Sequence, residues 1–562
     1  MHLHLDAFER NVVVEKKTLR PYLILLGLCL LLYLPGQCSI PAVDRDEARY
    51  VQASRQMLED KDFVRIRFQD EPRHKKPVGI YWMQAAVVRA AGTLKTDALW
   101  PYRLPSVIGA VLASMLTFYF GRRWFAEPVA LLGAAFLAGS LLLVVEAHLA
   151  KTDAMQLAAA CAVQGALGTV YLAHRRGDPA RWAAPLVFWI AMGAGILIKG
   201  PVLPMVSLLT VAALCIADRQ VRWIGRLHPL AGLLVALLIA SPWMVSIYRA
   251  TGGSFFTEAV RGDLLPKLVG GHESHGAPPG TYLILVFATF WPASVFVWPA
   301  VARGVAGRGA PEIRYLMAWL LPTWIVFELI PTKLPHYVLP TYPALALLAA
   351  SAVYAARTEP ILGTRTARVN RVVWTAVTLA LAALIVSVSP VLEGRLAIAS
   401  LVPALCGLVA IAAVWSALGR SRPVRAAVAA LAGAVLVLAP TFFSVFPGVT
   451  PLWLSREAAR TVAQISGGDA GKGSAVAAVD YHEPSLVFHL GTKTDLTDAA
   501  SAAAFLEKGG NRIAVVADRR LEDFLKEAAR RKVPVQEQAS VTGFNYTKGR
   551  WVTLRFYTRD AG

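Results

Sequence analysis

Apolar positions in this chain fall in long unbroken runs rather than in alternation. A helix needs about 20 mostly apolar residues to cross a bilayer. Fourteen stretches are candidates: 21–36, 78–92, 104–120, 127–145, 152–173, 182–198, 201–217, 228–247, 281–301, 313–330, 336–355, 371–390, 397–417 and 424–442. Only if segment 78–92 does not span do the arginine-rich loops fall on one side, which leaves thirteen spans; it is also short and carries Gln84 and Arg89, as suits a helix lying along the membrane surface. The first run lacks a small-residue cleavage signature and reads as a retained span. After about residue 443 the pattern changes. Residues 475–480 and 512–518 read as buried strands, 519–532 as an amphipathic helix, 545–549 as a hairpin turn and 551–557 as a strand. The expected organisation is a polytopic helical membrane unit, 1–442, followed by an α/β domain, 443–562.

Composition supports this reading and excludes others. Hydrophobic residues make up 56% of the 562 and charged residues only 17%, against about 25% charged in soluble domains. A cytosolic enzyme and a disordered chain are excluded. The five cysteines have neither metal nor redox spacing. The net charge of +20 would suggest nucleic acid in a soluble protein. Here it follows from arginine-rich loops on one side of a membrane. Lys16, Lys17 and Arg20 place the N-terminus inside. With thirteen spans, Arg122/Arg123, Arg175/Arg176, Arg222/Arg226, Arg303/Arg314, Arg365/Arg368 and Arg420/Arg425 all share that side. The first loop, 37–103, the loop 248–280 and the tail then lie outside.

Ionisable residues collect at those outer helix ends. The first loop reads Val43-Asp-Arg-Asp-Glu-Ala-Arg-Tyr50, then Glu71-Pro-Arg-His-Lys-Lys-Pro77. Charge clusters are usually solvated surface, where long side chains reach to the headgroups. Several others converge here, however: Glu146, Lys151 and Asp153, then Lys199, Arg261, Asp263 and Lys267, then Glu328 and Lys333. None sits at mid-membrane, where a transporter would carry them. No internal repeat suggests inverted transporter halves. Lys and Arg suit a phosphate, carboxylates suit a base or a sugar, and an apolar groove beside them suits a lipid tail. A lipid-linked phosphate donor meets all three requirements. His272, Glu273 and His275 have spacing that a divalent metal such as zinc could use, although a mobile polar loop explains them as well.

The D-R-D-E-A-R-Y run at 44–50, Lys76-Pro77 before Tyr81-Trp82, and Arg103-Leu-Pro105 together resemble the GT-C glycosyltransferases of the protein O-mannosyltransferase superfamily. Lys151-Thr-Asp153 and Lys333-Leu-Pro-His-Tyr-Val-Leu-Pro340 are similar to the undecaprenyl-phosphate aminoarabinose transferases within it. The resemblance covers about residues 20–440. It implies inverting transfer of 4-amino-4-deoxy-L-arabinose from undecaprenyl phosphate to lipid A phosphates, at the periplasmic face of a bacterial inner membrane. It also implies polymyxin resistance and a periplasmic tail. Asp46, or its neighbour Asp44, matches the catalytic acid of the first loop, and Asp153 a second acidic site residue. Arg49, Lys76 and Tyr337 match positions around the donor phosphate. Lys75, Tyr81, Lys199, Arg261 and Lys333 are further candidates for substrate binding. One departure is Lys75, where relatives often carry an acidic or aromatic residue. The expected partners are the lipid donor, lipid A and membrane lipids, with no nucleic acid, no required cofactor and a monomeric state. The alternatives are another polyprenyl-phosphate-dependent GT-C transferase and, from a different class, a lipid flippase.

Overall fold

The computed structural model describes residues 19–94, 96–269, 276–357, 363–467 and 474–560. Every one of the thirteen expected spans contains helix. Among the described residues, seven helices are long and apolar enough to cross a membrane, or eight if one bent pair is a single span. Shorter apolar helices such as Arg20–Tyr33, Ala183–Lys199 and Val202–Asp218 add to these.

Two expected spans are broken. Segment 127–145 becomes Glu127–Gly139 and Leu141–Ala147, bent by 59° at an extended Ser140. Segment 281–301 becomes Thr281–Thr289 and Val297–Ala306 with a short 3-10 turn between them. The breaks meet: the Leu141 N–H donates to the Trp291 carbonyl at 2.8 Å. Backbone groups freed in an apolar interior need a partner, and each break supplies one to the other.

Segment 78–92 forms the 13-residue helix Gly79–Ala91. At about 1.5 Å per residue it is too short to cross a bilayer. It packs on the helices Asp46–Glu59 and Trp100–Trp124. Four of the arginines expected on one side meet at one end of the bundle. Arg176 pairs with Glu312 at 2.6 Å and also reaches the Arg123 carbonyl. Arg175 and Arg314 both pair with Asp218.

After the helix Asp46–Glu59 the first loop forms a short two-stranded ribbon, β1 (Arg67–Phe68) and β2 (Glu71–Pro72). The tail forms a five-stranded sheet of β3 (Ala475–Val479), β4 (Asp495–Thr497), β5 (Arg512–Ala517), β6 (Val535–Asn545) and β7 (Arg550–Arg559), in the order β4-β3-β5-β7-β6. Strands β3, β4 and β5 are parallel and the hairpin β6–β7 is antiparallel. Sequence periodicity found β3, β5, β7 and the helix Leu521–Arg530, but not β4 or the alternating polar strand β6. One tail helix, Pro484–Leu490, docks on Asp46–Glu59.

Candidate functional site

The helix Asp153–Arg176 begins with a carboxylate, which its positive N-terminal end favours. Asp153 is buried and sits at the centre of a charge network. Lys199, the last residue of Ala183–Lys199, donates to one of its oxygens, and Lys151 lies 3.6 Å from the other. Lys151 also pairs with Glu146 at 2.9 Å. The His336 ring bridges the two carboxylates, at 3.7 Å from Glu146 and 3.8 Å from Asp153. Burial opposes the charge on Lys151, but Glu146 and Asp153 outweigh it and hold the ammonium above its usual range.

A second cluster faces this one. Asp263 accepts from Lys76 at 2.9 Å and from Lys267 at 2.5 Å. Burial pushes the Lys76 ammonium down from its usual value, with Asp263 opposing. Burial would raise the Asp263 carboxyl, yet Lys76 and Lys267 hold it below the usual range. His74 joins Glu258 at 3.0 Å, tying the 71–77 stretch to the loop after residue 251.

Asp153, Lys199 and His336 of the first cluster and Lys76, Asp263 and Lys267 of the second line one cavity of about 680 Å³. Its polar end carries Lys75, Lys76, Lys199 and Lys267 against Asp153 and Asp263, a surplus of positive charge. The rest of the wall is apolar, including Met205, Trp243, Phe255, Phe256 and Phe327. An anion attached to a hydrocarbon chain fits such a wall, the charged head among the ammonium groups and the tail along the aromatic side.

Of the residues singled out in the sequence, Lys75, Lys76, Asp153, Lys199 and Tyr337 line this cavity. The Lys199 ammonium stands 5.8 Å from the Tyr337 ring centre. Asp46 opens the helix Asp46–Glu59 and is exposed. Its charge acts on Tyr50, Arg73, Tyr81 and Lys151. Arg49 is half-buried on that helix. Tyr81 is fully buried, stacked on Tyr50 at 5.2 Å and accepting from Arg73 at 3.3 Å, so it supports the loop from behind.

Asp46, Arg49 and Tyr81 therefore stand outside the cavity lining, and so do three further candidates. The Asp44 carboxylate accepts from the Ser485 N–H at 3.1 Å and the Asp44 N–H donates to the Tyr546 hydroxyl at 2.7 Å, so Asp44 binds the tail. Lys333 turns back and donates to the Glu328 and Ile330 carbonyls at 2.8 and 2.6 Å, closing the end of Pro311–Leu329. Arg261 is exposed and outside the lining set. The metal candidates His272, Glu273 and His275 lie outside the described residues.

Sequence reading left Glu146, Lys151, His336, Asp263 and Lys267 without a role, although each stands in a motif it quoted. Their signal is a polar residue at the outer end of an apolar run. Glu146, Asp153 and His336 place three donor atoms within 4.8 Å of one another, a set a metal could use. As they stand they do not fit a divalent ion. Lys151 and Lys199 already sit on the two carboxylates, and two further positive charges would meet two ammonium groups there.

A family model described as dolichyl-phosphate-mannose-protein mannosyltransferase matches residues 75–245. The chain is 26% identical over 318 residues to an undecaprenyl phosphate-alpha-4-amino-4-deoxy-L-arabinose arabinosyl transferase of Aeromonas hydrophila, covering 55% of this chain and 56% of that protein. It is 28% identical over 369 residues to the protein of that name in Pectobacterium carotovorum, covering 64% and 63%. The chain therefore spans a little over half the length of the curated relatives it matches. In fold it resembles the crystal structure of ArnT from Cupriavidus metallidurans bound to undecaprenyl phosphate, with a TM-score of 0.73 and 21% identity over 96% of this chain and 98% of that one. It also resembles the apo oligosaccharyltransferase of Archaeoglobus fulgidus, with a TM-score of 0.52 and 11% identity over 89% and 69%. The chain is thus a multi-pass protein of the GT-C fold, similar in fold to ArnT along nearly its whole length and in sequence to the arabinosyl transferases over a little more than half of it.

Proposed function

We propose that this chain is a glycosyltransferase that moves 4-amino-4-deoxy-L-arabinose from undecaprenyl phosphate to phosphate groups of lipid A. The observation that carries this reading is the single cavity in which four lysines face an apolar, aromatic wall. The membrane unit, 1–442, is the catalytic part and 443–562 an appended domain. The arginine-rich end lies in the cytoplasm, so cavity and tail face the periplasm of an inner membrane. Polymyxin resistance follows from the same chemistry, because a sugar amine masks lipid A charge. The protein acts as a monomer.

In the step, an acceptor phosphate oxygen attacks the anomeric carbon of the sugar from the face opposite the lipid phosphate. The new C–O bond forms as the old one breaks, its electron pair goes to the leaving phosphate, and the centre inverts. Lys76 neutralises the charge that grows on that phosphate. Lys199 holds Asp153 in place and shares its positive charge with the same end, and Tyr337 flanks the head group. A lipid A phosphate is already an anion, so no strong general base is needed. Asp46 and Asp153 then orient the sugar and its amine. With a hydroxyl acceptor, as in protein glycosylation, Asp46 would serve as the base instead.

Mass spectrometry of lipid A tests the proposal in a strain lacking its own aminoarabinose transferase. A gain of aminoarabinose when this chain is expressed supports it. No gain, with the chain folded in the membrane, moves the acceptor to another lipid or a hydroxyl.

A further inference from the structure

One wall of the cavity holds a polar side chain with nothing to bind. Gln156 lies one turn beyond Asp153 on the helix Asp153–Arg176, so both face the same side. It lines the cavity beside Asp153, Lys199 and His336. It is only 2% exposed. Neither its amide oxygen nor its amide nitrogen has a hydrogen-bond partner among the described residues. Its backbone is ordinary helix, with the N–H donating to the Thr152 carbonyl at 2.9 Å. The side chain therefore plays no part in holding the turn.

Buried amides are normally paired, and a lone one is a standing cost to the fold. The buried amide of Gln84 follows that rule. Gln84 donates to the Ala150 carbonyl at 3.0 Å and accepts from the Ser54 hydroxyl at 2.6 Å. Gln37, Gln52 and Asn370 leave only the oxygen unpaired, whereas Gln156, among the described buried amides, leaves both atoms unpaired, and it faces the cavity. An amide offers a donor and an acceptor at once. A hydroxyl answers both, whereas an ammonium only donates and a phosphate only accepts.

We infer that Gln156 reads a ring hydroxyl of the sugar carried by the lipid donor, making it a specificity residue of the cavity. The inference rests on the transferase reading above. It divides the polar end between two tasks: the lysines take the phosphate, and Gln156, a turn away from Asp153, takes the sugar. A site built to hydrogen-bond a hydroxyl rejects an analogue that lacks it, because the amide is then left unpaired.

The test uses the full chain in lipid nanodiscs and the variant Gln156→Leu. The probes are undecaprenyl phosphate, the same lipid bearing aminoarabinose, and donors lacking the 2- or the 3-hydroxyl. The wild-type chain should lose about tenfold in kcat/KM with one of the two deoxy donors. Gln156→Leu should lose about tenfold with the full donor, mostly in KM, and no longer separate it from that deoxy donor. Its affinity for bare undecaprenyl phosphate should stay unchanged. Its melting temperature without ligand should hold or rise, since a leucine leaves no unpaired amide. A lower melting temperature would make Gln156 structural and overturn the inference. So would retained discrimination, or an equal loss of affinity for the bare lipid. Displacement of bare lipid by sugar-bearing lipid separates this inference from the transferase reading. Should the wild-type chain transfer nothing to lipid A yet prefer sugar-bearing lipid, a preference that survives Gln156→Leu rejects the inference and one that disappears supports it.

Discussion

Arg103 and Glu47 form a two-pronged ion pair, with both N···O distances 2.9 Å and neither side chain measurably exposed. The guanidinium also donates to the carbonyls of Gln37, Ile40 and Pro41. The Glu47 carboxylate accepts from the N–H groups of Val43 and Ala150. One pair thus joins the entry to the first loop, the helix that begins at Asp46 and the turn that carries Lys151 and Asp153. Removing one member of a buried pair leaves the other charged and alone, at a cost of about 3–5 kcal/mol. Arg103→Leu should therefore lower the melting temperature sharply in detergent, and Glu47→Gln less so. A wild-type melting curve for Arg103→Leu would refute this account of the loop.

Asp44 gives a pH dependence with a definite sign. Burial, with the Glu483 charge adding to it, pushes its carboxyl up to about 7 from an ordinary 3.8. The folded state then holds a proton that the unfolded chain releases, so this group's contribution is full below about pH 4. It is lost as pH rises through 7. Asp44→Asn keeps an acceptor for the Ser485 N–H and removes the titration. Relative to wild type, the variant should be more stable at pH 8 than at pH 5 in paired thermal melts. An unchanged difference between the two pH values would count against the burial of Asp44 under the tail.

Asp46 and Asp153 differ in their surroundings, and so should their variants. Asp46→Asn alters an exposed group and should abolish transfer while leaving the melting temperature within about 1 °C, given that such surface changes are worth about ±0.5 kcal/mol. Asp153→Asn removes the partner of Lys199 and weakens the hold on Lys151, so it should lose both activity and stability. Normal turnover by Asp46→Asn, measured as aminoarabinose added to lipid A, would remove Asp46 from the reaction.

Lys76 and Lys333 look alike in the sequence, each in a Lys-Pro or Lys-Leu-Pro context beside an apolar helix. The structure separates them. Lys76→Met should weaken binding of undecaprenyl phosphate about tenfold or more, as expected for a lost charge-assisted bond. Lys333→Met uncovers two carbonyls and should cost about 1–3 kcal/mol of stability with KM unchanged. Isothermal titration with the bare lipid, beside a thermal melt, checks both. A reversed pattern would exchange their roles.

Chelation bears on the carboxylates around His336. Because Lys151 and Lys199 already neutralise Glu146 and Asp153, treatment with EDTA should leave turnover unchanged. A loss restored by adding back a divalent metal would show that an ion displaces one of those ammonium groups.

Much of the membrane part was legible because its grammar is simple. A bilayer demands long apolar runs, and the arginines between them record which ends lie together. Arg175 and Arg314 do meet on Asp218, and Arg176 joins Glu312 and the Arg123 carbonyl. The demotion of 78–92 from span to short helix could be read from the side on which the arginine-rich loops fall, and from its length and its Gln84 and Arg89. In the tail, runs of buried apolar residues marked β3 and β5, while β6, whose residues are mostly exposed or half-buried, gave no such signal. The sequence also showed which residue types gather at the helix ends; Lys199 came from that pattern, and Asp153 and Lys76 from the family resemblance. It could not show which way each side chain turns. That depends on groups hundreds of residues apart: Asp44 meets Ser485 and leaves the cavity, Lys333 finds the carbonyls behind it, and His336 closes over Glu146 and Asp153. Burial makes every polar group choose a partner, and only the packed fold decides which partner is in reach.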